Sequence, residues 1–172
     1  MRKINELLLS ITKWGLIIMV PFMTILIFVQ VVLRYVFSAP LRWPEEMGRF
    51  LLIWISMLGS VYALREGLHV SISFLRDRIT GLLRYVTTVV VHVSLLGFFV
   101  FGAYQGAIYA LSQWSRTTPA MEISGAFPIS AIPVGCAIMF MINLEMFIDE
   151  LGGLHSRKNI LREEPEHSLR RS

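Results

Sequence analysis

Four long stretches without a charged residue limit what this chain can fold into. They cover residues 14–33, 50–64, 85–115 and 123–144. About 20 helical residues cross the hydrocarbon core of a bilayer, so three of the stretches are long enough as they stand. The second reaches that length only if its helix begins near Pro44. Because 16% of the residues are charged, against about 25% in soluble domains, the chain is predicted to be an integral membrane protein.

Helices rather than strands are the expected spans. The four stretches lack the sustained apolar and polar alternation of a barrel strand, and lipid requires every backbone group to be paired. We predict an all-α fold with four transmembrane helices, at about residues 14–37, 44–64, 85–111 and 127–148. They form one membrane domain, residues 1–151, followed by a polar cytoplasmic tail, residues 152–172.

The connection between the second and third spans has a helical pattern of its own. Its apolar residues recur at helical spacing, with charged and polar residues on the other faces. These apolar residues are Ile72, Leu75, Ile79 and Leu82. A segment of this kind lies along the membrane surface, so we predict an interfacial amphipathic helix over about residues 70–84, on the cytoplasmic side.

Basic residues distinguish the two sides of the membrane. They gather in the N-terminal tail, in the connection between the second and third spans and in the C-terminal tail, at Arg2, Lys3, Lys13, Arg65, Arg76, Arg78, Arg84, Arg157, Lys158, Arg162, Arg170 and Arg171. The positive-inside rule places these segments, and both termini, in the cytoplasm. Contacts with anionic lipid headgroups, rather than with nucleic acid, then explain the net charge of +4.

A charged cluster stands at the start of the second span. Pro44 suits a first helical position, and Glu45 and Glu46 follow in the first turn, where the helix dipole favours carboxylates. Arg49 follows these two acids by four and three residues, so either can pair with it on the helix surface. A capped, self-neutralised helix start can account for all of these residues.

Arg34 leaves a second interpretation of this cluster open. It lies at the same end of the preceding span, so two acids and two arginines at one depth can build a network across helices or across subunits. Trp43 and Trp54 are predicted to be anchors at an interface or in the bilayer.

The opposite end of the second helix is predicted to form a cytoplasmic turn from Arg65, Gly67 and His69. Glycine is a common residue just past a helix end, and a basic residue near that end complements the dipole. A histidine in such a turn more often hydrogen-bonds the backbone than acts as a proton switch.

Deeper polar residues are few: Gln30, His92, Gln105, Asn143 and Glu145. Hydrogen bonding between helices accounts for such residues. The other three histidines lie outside the predicted spans, so a bis-histidine haem is not expected. The sequence shows no midplane acid pair, metal-ligand spacing, nucleophile elbow or phosphate loop, and neither an enzyme nor a cofactor is predicted.

Several motifs together resemble one family. They are the Arg-Tyr-Val-Phe run at 34–37, Leu-Arg-Trp-Pro-Glu-Glu-Met-Gly-Arg at 41–49, Ala-Leu-Arg-Glu-Gly-Leu-His-Val at 63–70 and Thr-Pro-Ala-Met at 118–121. Over residues 34–144 the chain resembles the small membrane subunit (Q or DctQ-type) of tripartite ATP-independent periplasmic transporters. Glu122 departs from that pattern, since the family more often shows a small-apolar-proline turn after the Thr-Pro motif.

The resemblance implies a subunit in a bacterial inner membrane that pairs with a large multi-span permease subunit and a soluble periplasmic substrate-binding protein. It implies sodium ions in the large subunit and an organic acid, such as a dicarboxylate or a sialic acid, as the solute. We therefore expect a scaffold subunit of a sodium-coupled importer. Its short outer connection is either a periplasmic docking rim or an ordinary solvated turn, at Trp114, Arg116, Thr118 and Glu122. A small membrane redox subunit and a self-sufficient small exporter are the alternatives.

The predicted topology is tested by cysteine labelling. Because the basic segments face the cytoplasm, cysteines at Ser38 and Thr117 should react with an impermeant maleimide added to whole cells, whereas those at Ser73 and Ser168 should react only after permeabilisation. Labelling of Ser168→Cys from outside intact cells would overturn the orientation.

Overall fold

Long helices account for nearly all of the fold. The computed structural model describes residues 2–38, 41–78 and 82–169, with side chains for residues 3, 5–38, 41–66, 83 and 86–151. The helices are α1 (Arg2–Tyr35), α2 (Trp43–Arg78), α3 (Leu82–Ser112), the short α4 (Ala126–Ile129) and α5 (Ala131–Leu169).

Four segments of these helices are long and apolar enough to cross a membrane: Asn5–Tyr35, Trp43–Glu66, Val86–Ser112 and Ala126–Leu151. The prediction of an all-α protein with four transmembrane helices is confirmed. Successive spans alternate in direction. Residues 36–42 and 113–125 therefore connect them at one end of the bundle, the loop end, and both chain tails emerge at the other, the terminal end.

The helices pack in the spatial order α1, α2, α5, α3. α2 lies between α1 and α5, and α5 lies between α2 and α3. α1 contacts α5 only slightly, and no contact joins α1 to α3 among the residues that the structure describes. α1 and α3 are consequently edge helices of a layer.

Apolar packing is concentrated where α5 meets α2 and α3. The buried cluster consists of Val61, Phe99, Cys136, Met139, Ile142 and Met146. Because lipid tails are as apolar as these side chains, burial alone supplies little drive for helix association in a membrane. Close packing and hydrogen bonds between helices must hold the layer together.

Two glycines allow α3 and α5 to approach closely. A Cβ atom added to Gly106 would lie 2.9 Å from Ile132 Cγ2 and 3.2 Å from the Pro133 backbone nitrogen. One added to Gly102 would lie 3.0 Å from Cys136 Sγ. This Gly-x-x-x-Gly spacing is typical of membrane helices whose backbones pack together.

The helix boundaries differ from the sequence-based ones in three places. α1 begins at Arg2 rather than near residue 14, α5 continues to Leu169 into the predicted tail, and α2 passes through Gly67, the predicted helix end, to Arg78. A glycine inside a helix costs only about 1 kcal/mol relative to alanine, which the flanking helical residues offset.

Two predicted segments fall largely outside the described residues. Of the predicted interfacial helix, residues 70–84, the structure does not describe residues 79–81 or most of the side chains. Of the predicted tail, residues 152–172, it does not describe residues 170–172 or any of the side chains. The position of the interfacial helix on the membrane surface and the polar character of the tail therefore stay predictions.

The close contact at Gly106 predicts opposite effects for two alanine substitutions in α3. Gly106→Ala should lower the melting temperature of the purified protein, because overpacking costs about 1–3 kcal/mol. Gly97→Ala is the matched control, since a Cβ there meets nothing within 4 Å and alanine favours helix by up to about 1 kcal/mol. Equal melting temperatures for the two variants, measured in one detergent, would contradict this account of the α3–α5 packing.

Candidate functional site

Glu46 is a buried carboxylate at the loop end. It lies in the first turn of α2, and the residue is only 4% exposed. Its Oε2 atom accepts hydrogen bonds from the backbone N–H groups of Ala120, at 2.8 Å, and Met121, at 3.0 Å. Hydrogen bonds to an ionised acceptor are about twice as strong as neutral ones. Glu46 therefore fastens the connection between α3 and α4 to α2.

The fastened connection is a tight turn built largely by its own backbone. Thr118 N–H donates to Ile123 O at 2.8 Å, Glu122 N–H donates to Thr118 O at 3.0 Å, and an isolated bridge pairs Thr117 with Ser124. Glu122 has a φ of 53°, a left-handed conformation that is uncommon for residues other than glycine. Glu46 supplies the acceptor for the two N–H groups at the tip of this turn, and we call residues 116–125 the anchored loop.

The remaining charges of the predicted cluster lie apart from Glu46. Arg49 pairs with Glu45 at 3.8 Å, and both side chains are well exposed. The exposed Arg34 has its guanidinium carbon 5.8 Å from the centre of the Tyr35 ring. Among the described residues the four charges form no single network. Glu45 and Arg49 pair on the surface of α2, and both the capped helix start and a network across subunits stay predictions.

The two tryptophans of the same helix differ in their surroundings. Trp43 is 44% exposed at the start of α2. The ring of Trp54 lies 6.0 Å from that of Phe127, and its Nε1 is buried without a hydrogen-bond partner among the described groups. Both residues border the apolar surface of the protein, but only Trp43 has the exposure of an interfacial anchor.

Three of the four predicted rim residues belong to the anchored loop, and Trp114 lies two residues before it. Trp114, Arg116 and Glu122 are exposed, while Thr118 is half-buried with its Oγ1 buried and unpaired among the described groups. Glu46 therefore fixes the loop that presents two opposite charges beside the exposed ring of Trp114. The sequence shows Glu46 as a helix-start acid, but its backbone partners 74 and 75 residues away leave no local signal.

A second buried carboxylate joins three helices at the terminal end. Glu145 of α5 lies 3.8 Å from the Arg65 guanidinium of α2, and its other oxygen accepts a hydrogen bond from the Asn5 amide of α1. Asn5 also donates to Met141 O at 3.2 Å. The prediction that Arg65 complements a helix end does not include this contact. The surroundings of Gly67 and the side chain of His69 lie outside the described part of the chain.

His92 and Asn143 bind α3 to α5 in the interior. His92 Nδ1 lies 2.7 Å from Asn143 Oδ1, and Asn143 Nδ2 donates to the His92 carbonyl at 3.1 Å. Since the amide oxygen can only accept, Nδ1 carries the proton. In the neutral ring Nε2 is then a bare acceptor, and it has no partner among the described groups. These two deep polar residues serve helix packing, as the sequence analysis expects.

Comparison with known proteins assigns the family. Residues 23–153 match the sequence pattern of a protein family, the DctQ component of tripartite ATP-independent periplasmic (TRAP) transporters. The chain belongs to the DctQ family. It is therefore a small permease subunit of a transporter and a multi-pass membrane protein, and the family is one of transporter subunits rather than enzymes.

Relatives of the DctQ chain include small and large proteins. It is 28% identical over 138 residues to the sialic acid TRAP transporter small permease protein SiaQ of Vibrio cholerae, covering 75% of this chain and 76% of that one. It is 29% identical over 117 residues to a TRAP small permease homologue of Haemophilus influenzae, covering 66% of this chain and 65% of that one. With the isethionate TRAP transporter permease protein DctMQ of Oleidesulfovibrio alaskensis, it shares 25% identity over 127 residues, which are 73% of this chain but 20% of DctMQ.

The anchored loop should come loose when its acceptor is removed. Each hydrogen bond to a charged group contributes about 1.5–3 kcal/mol, so Glu46→Ala should speed amide hydrogen exchange at Ala120 and Met121 by about tenfold to hundredfold. Glu46→Gln keeps a carbonyl acceptor and should give a smaller increase. Mass spectrometry of peptides spanning residues 116–125 measures the effect.

Glu45→Ala is the matched control for this experiment. It removes a neighbouring carboxylate whose exposed pair with Arg49 contributes at most about 1 kcal/mol, and it should leave exchange in the anchored loop unchanged. Equal exchange in Glu46→Ala and Glu45→Ala would show that the loop does not depend on Glu46.

Proposed function

We propose that this chain is the scaffold subunit of a sodium-coupled importer of an organic acid. The observation that carries the proposal is the DctQ match over residues 23–153. The packing of the spans supports a scaffold role, because the deep polar groups Asn5, His92, Asn143 and Glu145 are engaged with neighbouring helices of the same chain. Groups used in this way hold helices together rather than line a solute path.

A large permease subunit is the proposed membrane partner. The chain matches 20% of the length of DctMQ and, with 36% identity over 64 residues, 10% of the sialic acid TRAP transporter permease protein SiaT of Haemophilus influenzae. Each of these proteins has a long remainder beside the part that resembles this chain. We propose that a separate large permease supplies the equivalent remainder here, together with the sodium ions and the solute site.

The solute is proposed to be an organic anion of the dicarboxylate or sialic acid class. The names of the relatives SiaQ and DctMQ refer to sialic acid and isethionate, both of which are acids. The chain itself contributes support and docking surfaces in this proposal.

The loop end is proposed to face the periplasm of a bacterial inner membrane. The terminal end carries the basic tails, and the positive-inside rule places it in the cytoplasm. The anchored loop, with Trp114 just before it, then presents Arg116 and Glu122 to a soluble substrate-binding protein, as a polar rim of the kind that tunes encounter rate and salt dependence. Glu46 supports this proposal because it gives the rim one fixed conformation.

Reconstitution tests the proposed function. The chain alone in liposomes should move no organic acid under an imposed sodium gradient. Liposomes that also contain the proposed large permease should accumulate radiolabelled solute when substrate-loaded binding protein is added. Sodium-driven accumulation by the isolated chain would refute the scaffold role, and solute uptake of equal rate by the large permease without this chain would do the same.

Charge-reversal variants in the same liposomes test the rim. Arg116→Glu and Glu122→Lys should raise the concentration of binding protein that gives half-maximal uptake, and the increase should shrink as ionic strength rises. Glu66→Lys is the control, since this exposed charge lies at the terminal end of the bundle, away from the anchored loop. Unchanged half-saturation in both rim variants at every salt concentration would remove the rim from the proposal.

A further inference from the structure

Gln105 occupies an unusual position for a glutamine in a membrane helix. It is exposed on the outer face of the edge helix α3, and it makes no hydrogen bond to any group that the structure describes. It lies seven residues before the end of α3 at Ser112, which places its Cα roughly 10 Å along the axis from the loop end. A helical side chain leans toward the helix N-terminus, so this amide leans toward the middle of the bilayer rather than toward the nearer interface.

Exposed hydroxyl groups elsewhere on the spans are satisfied differently. The Oγ atoms of Thr24, Ser60, Thr87 and Ser112 each donate to a carbonyl oxygen three or four residues earlier in their own helix. These side chains can therefore face lipid at little cost. The Gln105 amide has two N–H donors and an acceptor, and acyl chains offer none of them a partner.

Two further residues extend this face toward the terminal end. Ser94 is exposed and makes no hydrogen bond to a described group, and it precedes Gln105 by three helical turns, within about 20° of the same direction. Phe101 lies between Ser94 and Gln105, within about 40° of either direction, and is 64% exposed.

We propose that the face of α3 bearing Ser94, Phe101 and Gln105 is covered by a transmembrane helix of the large permease, which carries a polar side chain opposite Gln105. The proposal rests on the proposed function for the existence of that partner and adds where it binds. The occupant is a protein helix because only polar groups satisfy an amide within hydrocarbon. It extends the layer beyond α3, its edge helix.

Photocrosslinking locates the partner. Benzoylphenylalanine is placed at Phe101, which is 64% exposed on α3, and at Phe28, which is 67% exposed on the opposite edge helix α1. In cells that produce both subunits, the Phe101 probe should give an adduct with the summed mass of this chain and the large permease, at a higher yield than the Phe28 probe. An adduct of twice the mass of this chain, or one with lipid alone, would overturn the proposal.

Substitution of the amide measures its contribution to association. Gln105→Leu removes the polar group at similar size and should weaken association with the large permease by about three- to twentyfold, the range expected for hydrogen bonds between membrane helices. Gln105→Asn should retain part of the affinity. Thr24→Val is the control, because its hydroxyl bonds within its own helix, and it should bind like the native chain in a fluorescence dilution series in detergent micelles.

The outcomes separate this inference from the proposed function. Capture of the permease from Phe28 but not from Phe101, or native affinity of Gln105→Leu, would refute the α3 interface while the scaffold role stands. Failure of both probes to capture the permease, together with uptake that does not require this chain, would refute both.

Discussion

Lipid offers no hydrogen-bond partners, and this constraint shapes the whole structure. A deep polar side chain therefore needs a partner on a protein helix, in this chain or in a neighbouring one. His92 finds one in Asn143 between α3 and α5, and Glu145 finds two in Asn5 and Arg65 between α5, α1 and α2. Because α5 carries a member of both sets, it is the helix to which the other three are fixed. The position of α5 inside the layer follows from this distribution of polar groups.

At the loop end, backbone N–H groups rather than deep side chains need a hydrogen-bond partner. A turn as tight as residues 118–123 leaves two adjacent N–H groups that its own backbone cannot satisfy. Glu46 meets both of them, so one carboxylate serves at once as the first-turn acid of α2 and as the acceptor for a distant turn. The exposed charges of Glu45 and Arg49 are free to face water or headgroups, and the anchored loop is held without them.

Much of the architecture was readable from the sequence, because span length and charge placement depend on local composition. The four spans, the first-turn acids of α2 and the interhelical use of His92 and Asn143 follow from such patterns. The partners of Glu46 and Glu145 do not, since they depend on which helices become neighbours. The sequence contains the Gly-x-x-x-Gly spacing at 102–106, which indicates close packing, but this signal does not identify α5 as the partner. The predicted helix end at Gly67 was wrong for the backbone because a single glycine is a weak stop inside a long helix.

The contact between Asn5 and Glu145 has a consequence for biogenesis. These residues are 140 positions apart, so the ribosome delivers Asn5 to the membrane long before its acceptor exists. Until α5 enters the bilayer, the Asn5 amide and the Arg65 guanidinium must be solvated by water or headgroups at the membrane surface, which keeps the terminal ends of α1 and α2 close to that surface. α5 thus completes the burial of the Asn5 amide, and a nascent chain acquires this arrangement of α1, α2 and α5 only after α5 has been made.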